Sequence, residues 1–180
     1  MKKIRAAAFS CIPYDKSTRK NATIVGIVSR PGNVIEGILS ANAEIDGTNA
    51  TEKLANAIKE SKYKNIIRII FLKGLSIAGL NIIDIKELSE KTNAVVVAIV
   101  KKGKRENIKK TLESLGQKEK IKHIDNAGEI YFSERLKLSF QVYGTSRNKA
   151  ERIIKEFLSE SKIPEPLRIA RMIAKSLKDQ

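Results

Sequence analysis

Three runs rich in β-branched and other apolar residues follow one another at the start of the chain. They cover residues 4–10, 22–30 and 33–45, and their composition favours strands. Pro31 and Gly32 form a turn signal between the second and third runs. We therefore expect the second and third strands to form an antiparallel hairpin.

From residue 46 onward, helical and strand patterns alternate. Residues 66–72 and 94–100 are almost continuously apolar, which is typical of strands buried on both faces. Helices are predicted to begin at Asn49, near Asp84 and at Lys104, the first with a capping box completed by Glu52. Three antiparallel strands that continue into parallel ones predict an α/β fold with a mixed sheet. This order is typical of a ribonuclease H-like three-layer domain.

The last third of the chain has a less regular pattern. Strands are predicted over 120–124, 129–132 and 136–143, followed by a helix capped near Thr145 or Ser146. Pro164 stands where a final helix can start. We interpret residues 1–180 as a single domain whose C-terminal β/helical extension begins at about residue 120.

Composition limits the class of protein. The chain has 180 residues, enough for one domain of ordinary size, and no apolar run approaches the roughly 18 residues of a membrane span. The N-terminal residues lack the pattern of a signal peptide, so we expect a cytoplasmic protein without a membrane partner. The single cysteine, Cys11, excludes an internal disulfide and a cysteine-cluster zinc site.

The net charge of +15 points to a polyanionic partner. Lysine and arginine number 35 against 20 acidic residues, and residues 31–60 are acidic while both flanks are basic. A surface with this balance attracts nucleic acid. The alternative is a thermophile-like composition whose many lysines are solvated. Aromatic residues make up 5%, which argues against a base-stacking platform for single strands.

Basic residues concentrate in two loops and on one helix. The most unusual group, Lys101, Lys102, Lys104 and Arg105, stands where a helix begins, against the sign that the helix dipole prefers. A bound phosphate would resolve this conflict, and a flexible, solvated loop is the alternative. The first loop offers further contacts. Its basic residues are Lys16, Arg19 and Lys20.

The final helix carries a basic stripe opposite its apolar face. The stripe consists of Arg168, Arg171, Lys175 and Lys178. It could follow a phosphate backbone or an acidic protein, but a solvated face is the more common role of such a stripe.

Two acids lie beside candidate binding loops. Asp46 and Asp84 each follow a strand or loop, and either could ligate Mg²⁺, the one cofactor that the sequence suggests. As alternatives, Asp46 belongs to a turn and Asp84 favours a helix start. The first strand ends at Ser10 and Cys11 and contains no acid, so a two-metal nuclease site lacks a ligand there. The loop near the site includes Gly74, Gly79 and Asn81.

Three segments, 46–51, 74–84 and 163–170, together resemble the archaeal "domain of unknown function ninety-nine" family. That family is described as distantly similar to endonuclease V, so the resemblance implies a ribonuclease H-like fold. Family members usually carry two acids where this chain has Ser10 and Cys11. They also carry an aspartate in place of Asn49 and a histidine in place of Arg171.

These observations favour a nucleic-acid-binding protein related to endonuclease V that lacks a complete catalytic metal site. The alternative is a Mg²⁺-dependent nuclease acting on DNA or RNA, with Asp46 and Asp84 as catalytic and metal-binding residues and Glu36 or Glu44 in support. A second alternative is an assembly factor that docks acidic proteins through the stripe beginning at Arg168. The choice between DNA and RNA stays open, as does the formation of a homodimer.

Overall fold

The computed structural model describes residues 4–101 and 103–177. Within them, one large mixed sheet and one small hairpin account for the strands. The strands in chain order are β1 Arg5–Cys11, β2 Asn21–Arg30, β3 Val34–Glu44, β4 Ile67–Lys73, β5 Ser76–Ile77, β6 Asn81–Ile82, β7 Val95–Val100, β8 Tyr131–Ser133 and β9 Leu138–Tyr143. The large sheet has the order β3-β2-β1-β4-β7-β9-β8, and β5 pairs with β6.

The strand directions bring several loops to one edge of the sheet. β1, β4 and β7 are parallel neighbours, while β2 runs antiparallel to β1 and β3 antiparallel to β2. β9 and β8 continue the same sheet with antiparallel pairing. The predicted mixed sheet is therefore confirmed. The ends of β1, β3, β4 and β7 lie at the same edge, which is called the carboxyl edge below.

Helices cover both faces of this sheet. They are α1 Ala50–Lys59, α2 Ile85–Thr92, α3 Lys104–Ser114, α4 Ile121–Asn126, α5 Arg147–Phe157 and α6 Glu165–Ser176. On one face, buried residues of α1 to α4 such as Leu54 and Leu88 pack with Ala7 of β1. On the other face, α5 and α6 pack on Ala8 and on the alternate residues of β4 and β7. The result is the predicted three-layer architecture.

The central strand explains why helices lie on both faces. Ala6, Ala7 and Ala8 are fully buried, because successive side chains of a strand point to opposite faces and both faces are covered here. Across the second face, Phe71 of β4 and Phe157 of α5 make an edge-to-face pair with ring centroids 5.3 Å apart. None of the helices in the described ranges is long and apolar enough to cross a membrane.

Two local predictions are wrong. Residues 120–124 form the end of a 3₁₀ turn, Lys118–Lys120, and the start of α4 instead of a strand. Ile121 and Ile124 are three residues apart and both pack on the first-face core, which is helical spacing. The predicted capping box of α1 is also absent, since the side chain of Asn49 makes no cap hydrogen bond to the helix.

Candidate functional site at the carboxyl edge

Five cations from three elements and one loop lie near one another at the carboxyl edge. Lys73 is the last residue of β4, and its electrostatic neighbours are Arg171, Lys101, Lys104 and Lys175. Partial burial and then the repulsion of these four cations lower the pKa of the Lys73 ammonium. These five residues are called the cationic cluster. Like charges held together in this way favour an anion between them.

The cluster joins segments that are far apart in the sequence. Lys101 follows β7, Lys104 begins α3 after Gly103, and both Arg171 and Lys175 belong to the second half of α6. Gly103 has a positive φ of 77°, which turns the chain from the strand into the helix. The predicted contribution of the 101–105 segment thus meets part of the α6 stripe, whereas Lys102 and Lys178 lie outside the described residues.

Two cavities open beside the cluster and share Lys73 and Gly74. The first, the β7 cavity, has a volume of about 200 Å³. Its lining is Lys73, Gly74, Leu75, Ile99, Val100, Lys101, Lys104, Arg105, Ile108, Ile124, Gln141 and Ile163. The second, the β1 cavity, measures about 280 Å³ and includes Ser10 and Cys11 at the end of β1 and Tyr14 in the loop that follows. Apolar side chains with cations at the rim make the β7 cavity suitable for a flat, anionic ligand.

Asp46 ties the end of β3 to the loop between β5 and β6. Its Oδ1 accepts a hydrogen bond from the backbone N–H of Leu80 at 2.7 Å, and its Oδ2 pairs with Lys16 Nζ at 2.8 Å. Partial burial raises the pKa of this carboxyl, but the hydrogen bonds from Lys16 and Leu80 outweigh it and leave the pKa lowered. Gly79 lies against the carboxylate with a φ of +79°, where a Cβ atom would collide with Oδ1.

A buried lysine holds the same loop in place through hydrogen bonds to its backbone. Lys120 is 3% exposed, and its ammonium donates hydrogen bonds to the carbonyl oxygens of Asp46 and Leu80. Burial lowers the pKa of Lys120, while the nearby Asp46 carboxylate acts in the opposite direction. This role could not be read from the sequence, because the pattern there predicts a strand that includes residue 120.

Asn81 replaces Asn49 as the residue that organises the start of α1. Its Oδ1 accepts a hydrogen bond from Ala50 N at 2.9 Å, and its Nδ2 donates to Glu44 O at 2.8 Å and to Asn49 Oδ1 at 3.0 Å. Asn49 Oδ1 also accepts from Glu44 N. The amide of Asn81 is fully buried, so this network fixes the loop at the carboxyl edge.

Asp84 is the N-cap of α2 and is 4% exposed. Its Oδ1 accepts from Glu87 N at 3.0 Å, while its Oδ2 meets His123 Nδ1 at 3.0 Å and Asn126 Nδ2 at 2.7 Å. Burial raises the pKa of Asp84, and the hydrogen bonds from His123 and Asn126 overcome it to lower the pKa. These hydrogen bonds join α2 to α4. His123 lies in α4, whereas the sequence predicts a strand at this position.

The donors at the carboxyl edge do not fit a divalent cation. No group of three or more His, Cys, Asp or Glu side chains that could hold a metal lies within residues 4–101 and 103–177. β1 ends in Ser10 and Cys11, and burial raises the pKa of the Cys11 thiol. β4 ends in a lysine. Mg²⁺ prefers carboxylate oxygens, and both oxygens of Asp46 and of Asp84 already accept hydrogen bonds from the protein.

The remaining predicted cations lie in other surroundings. Lys16, Arg19 and Lys20 line a shallow pocket of about 470 Å³ that also contains Glu44 and Asp46, so acids offset part of its charge. Arg105 turns towards α4, where Nη1 donates to Gly128 O at 2.7 Å and Nη2 meets Asp125 Oδ1 at 3.2 Å.

Two other side chains that the sequence analysis names, Arg168 and Glu36, form ion pairs within the protein. Arg168 pairs with Glu165 of its own helix at 2.8 Å. Glu36 pairs with Arg5 and Arg30, near the edge of the sheet opposite the cationic cluster. Sequence reasoning missed Lys73, whose position at the end of a buried strand was the available signal.

The chain is similar to proteins of one archaeal family. The family model described as Endonuclease dU matches residues 2–178. The UPF0215 protein of Thermococcus sibiricus is 38% identical over 165 residues, covering 90% of this chain and 84% of the relative. The crystal structure of a protein of unknown function from Archaeoglobus fulgidus has a TM-score of 0.88 at 29% identity, covering 99% of this chain and 100% of that chain.

More distant structures share the fold. Endonuclease V of Ciona intestinalis, in complex with a 23mer DNA containing an inosine, gives a TM-score of 0.58 at 15% identity. The match covers 96% of this chain and 84% of that protein. This likeness confirms the predicted endonuclease V-like architecture, and at such identity it concerns the fold alone. Since the family model spans almost all of the sequence, the chain belongs to the family described as Endonuclease dU.

Proposed function

We propose that this protein binds nucleic acid at the carboxyl edge of its sheet, with the cationic cluster on the phosphates. The observation that carries the proposal is the grouping of four further cations around Lys73, whose pKa is lowered first by burial and then by their repulsion. A phosphate group near these cations offsets their mutual repulsion, which favours binding of a polyanion.

The comparisons support a nucleic-acid partner. Endonuclease V shares the fold and was crystallised with DNA, and the family description names an endonuclease. A net charge of +15 adds a long-range attraction that does not depend on base sequence. We therefore expect binding that is sensitive to salt and only weakly selective for sequence.

Fluorescence anisotropy tests this proposal directly. Labelled single-stranded and duplex oligonucleotides of DNA and RNA are titrated with the protein at 50 mM and 200 mM salt. The proposal predicts saturable binding at the lower salt that weakens steeply at the higher one. Absence of affinity for all four nucleic acids at the lower salt would rule it out.

A second candidate is a Mg²⁺-dependent endonuclease, favoured by the description of the family. The carboxylates available for it near this edge are Glu44, Asp46 and Asp84, of which Asp84 is buried as a helix cap. Because these groups do not form a coordinating set with β1 or β4, we rank cleavage below binding. Incubation of nicked, deaminated and single-stranded substrates with Mg²⁺ or Mn²⁺ separates the two candidates. Cuts made by the wild type and lost in Asp46→Ala would favour the enzyme.

A further inference from the structure

The cationic cluster is grouped around the rim of one cavity. Lys73, Lys101 and Lys104 all line the β7 cavity, and Arg171 and Lys175 of α6 lie near Lys73. Among the residues that the structure describes, none that lines this cavity is acidic. Charge gathered at one point differs from a basic stripe that follows a strand, and it favours a ligand whose own charge is equally concentrated.

Neighbouring acids offset the other basic groups near this edge. Arg105 also lines the β7 cavity, but its Nη2 pairs with Asp125 at 3.2 Å. The basic pocket of the first loop contains Glu44 and Asp46. Glu106, the acid in the first turn of α3, is exposed and is not part of the lining of the β7 cavity. The rim of the β7 cavity therefore presents cations that no carboxylate of the lining neutralises.

Two glycines leave open space beside these cations. Gly74 follows Lys73 and Gly103 precedes Lys104, and at either glycine a Cβ atom would have no heavy atom within 4 Å. Gly103 is also the N-cap of α3, and no side chain caps the first turn of this helix. An anion with several oxygen atoms can thus approach the ammonium groups and the backbone without meeting a side chain of residue 74 or 103.

The wall of the cavity behind the cations is mostly aliphatic. Ile99, Ile108 and Ile124 belong to it. Walls of low dielectric constant focus the field of nearby charges and strengthen their interaction with an anion. The volume of about 200 Å³ lies below the roughly 300–1,000 Å³ of typical small-molecule pockets, so the site suits a compact group.

We propose that the rim of the β7 cavity binds the terminal phosphate monoester of a nucleic-acid strand, so that the protein recognises strand ends. This inference rests on the proposed function. A terminal phosphate carries a charge of about −1.5 to −2 near pH 7 and three acceptor oxygens, whereas an internal phosphodiester carries a single charge. Lys73, Lys101 and Lys104 can each donate a charge-assisted hydrogen bond to one of these oxygens.

The test separates a terminal phosphate from total charge. Single-stranded 12-mers with a phosphate at the 5′ or at the 3′ end are compared with a 14-mer that has hydroxyl groups at both ends, all labelled in the middle. At pH 7.5 each of the three carries about 13 negative charges, so general attraction to the basic protein is matched. By anisotropy at 50 mM salt, we expect a phosphorylated 12-mer to bind about tenfold more tightly than the 14-mer. The comparison of the two 12-mers shows which end is bound.

A pair of variants on α3 assigns the preference to the rim. Lys104→Met removes a rim ammonium and should reduce the preference to about threefold or less. Lys104 is exposed at the start of the helix, where the helix dipole disfavours its charge, so the variant is expected to fold. Lys110→Met is the matched control. Lys110 is an exposed lysine about 9 Å further along α3 and outside the cavity lining, and its replacement should keep the wild-type preference.

Each outcome bears on a different part of the account. A preference for either phosphorylated end that Lys104→Met loses and Lys110→Met keeps supports the site. Equal wild-type affinity for all three oligomers, or an undiminished preference in Lys104→Met, would overturn it and leave the proposed function standing. If the wild type binds none of the oligomers, both the end site and the proposed function fail.

Discussion

Replacing Lys73 by methionine should weaken nucleic-acid binding without destabilising the free protein. Lys73 sits at the centre of the cationic cluster, where burial and four neighbouring cations lower its pKa. For a lysine the sign is clear: a folded-state pKa below 10.5 means that folding disfavours the charged form, so stability rises as the pH increases towards 10.5. Removal of the charge should therefore leave the thermal midpoint unchanged or higher.

The size of the binding effect follows from counterion release. If each of the five cations neutralises one phosphate of a duplex, the slope of log K against log salt is about −4.5, and loss of one contact changes it to about −3.6. Between 50 mM and 200 mM salt, the wild type should then lose affinity by about 500-fold and Lys73→Met by about 150-fold.

The assay is anisotropy across a salt series, with Lys59→Met as the matched control. Lys59 is an exposed lysine in the last turn of α1, which leads away from the carboxyl edge, and its removal changes the net charge by the same amount. The control should keep the wild-type slope. Equal slopes for Lys73→Met and wild type, or a drop of the thermal midpoint in Lys73→Met alone, would refute the reasoning.

Three further predictions concern the loops that shape the edge. Asp84→Ala removes the cap of α2 and the partner of His123. We expect the free energy of unfolding, measured by urea denaturation, to fall by about 2–4 kcal/mol. An unchanged midpoint would contradict the assigned role. The lowered pKa of Asp84 adds stability above pH 3.8 that is lost as the pH falls through the folded-state pKa. Acid unfolding of Asp84→Asn, followed by circular dichroism, should therefore show that stability depends less on pH than in the wild type. An unfolding curve parallel to that of the wild type would contradict this prediction. Gly79→Ala places a methyl group against the Asp46 carboxylate at a positive φ, so it should lower the thermal midpoint, whereas the exposed Gly32→Ala meets only the backbone penalty and should lower it less.

The fold could be predicted from the sequence to a large extent because its central strands have a clear hydrophobic pattern. The alanine-rich β1 and the apolar β4 and β7 are buried on both faces, and such strands read as continuous apolar runs. The sequence wrongly predicts a strand over residues 120–124, because two isoleucines within five residues fit either a short strand or a helix turn. Only the packing of Ile121 and Ile124 on the core decides between them.

The site was harder to predict because its members come from distant segments. The 101–105 segment and the α6 stripe were both visible as basic patterns, but their meeting at Lys73 depends on the order of the strands. The hydrogen bond that Ala50 N donates to Asn81, and not to Asn49, likewise comes from β6, 31 residues along the chain. Spacing along the chain carries no information about such contacts. The missing acid on β1, in contrast, could be read directly from the sequence.

Amide chemical-shift mapping by NMR tests the central claim most directly. A short duplex is added to isotopically labelled protein while the signals of Gly74 and Gly103 at the carboxyl edge and of Gly37 in β3, beside Glu36, are followed. Binding by the cationic cluster predicts saturable shifts for Gly74 and Gly103 at 50 mM salt, with Gly37 unchanged. Saturable shifts confined to Gly37 and its neighbours, or no shift at any of the three, would contradict it.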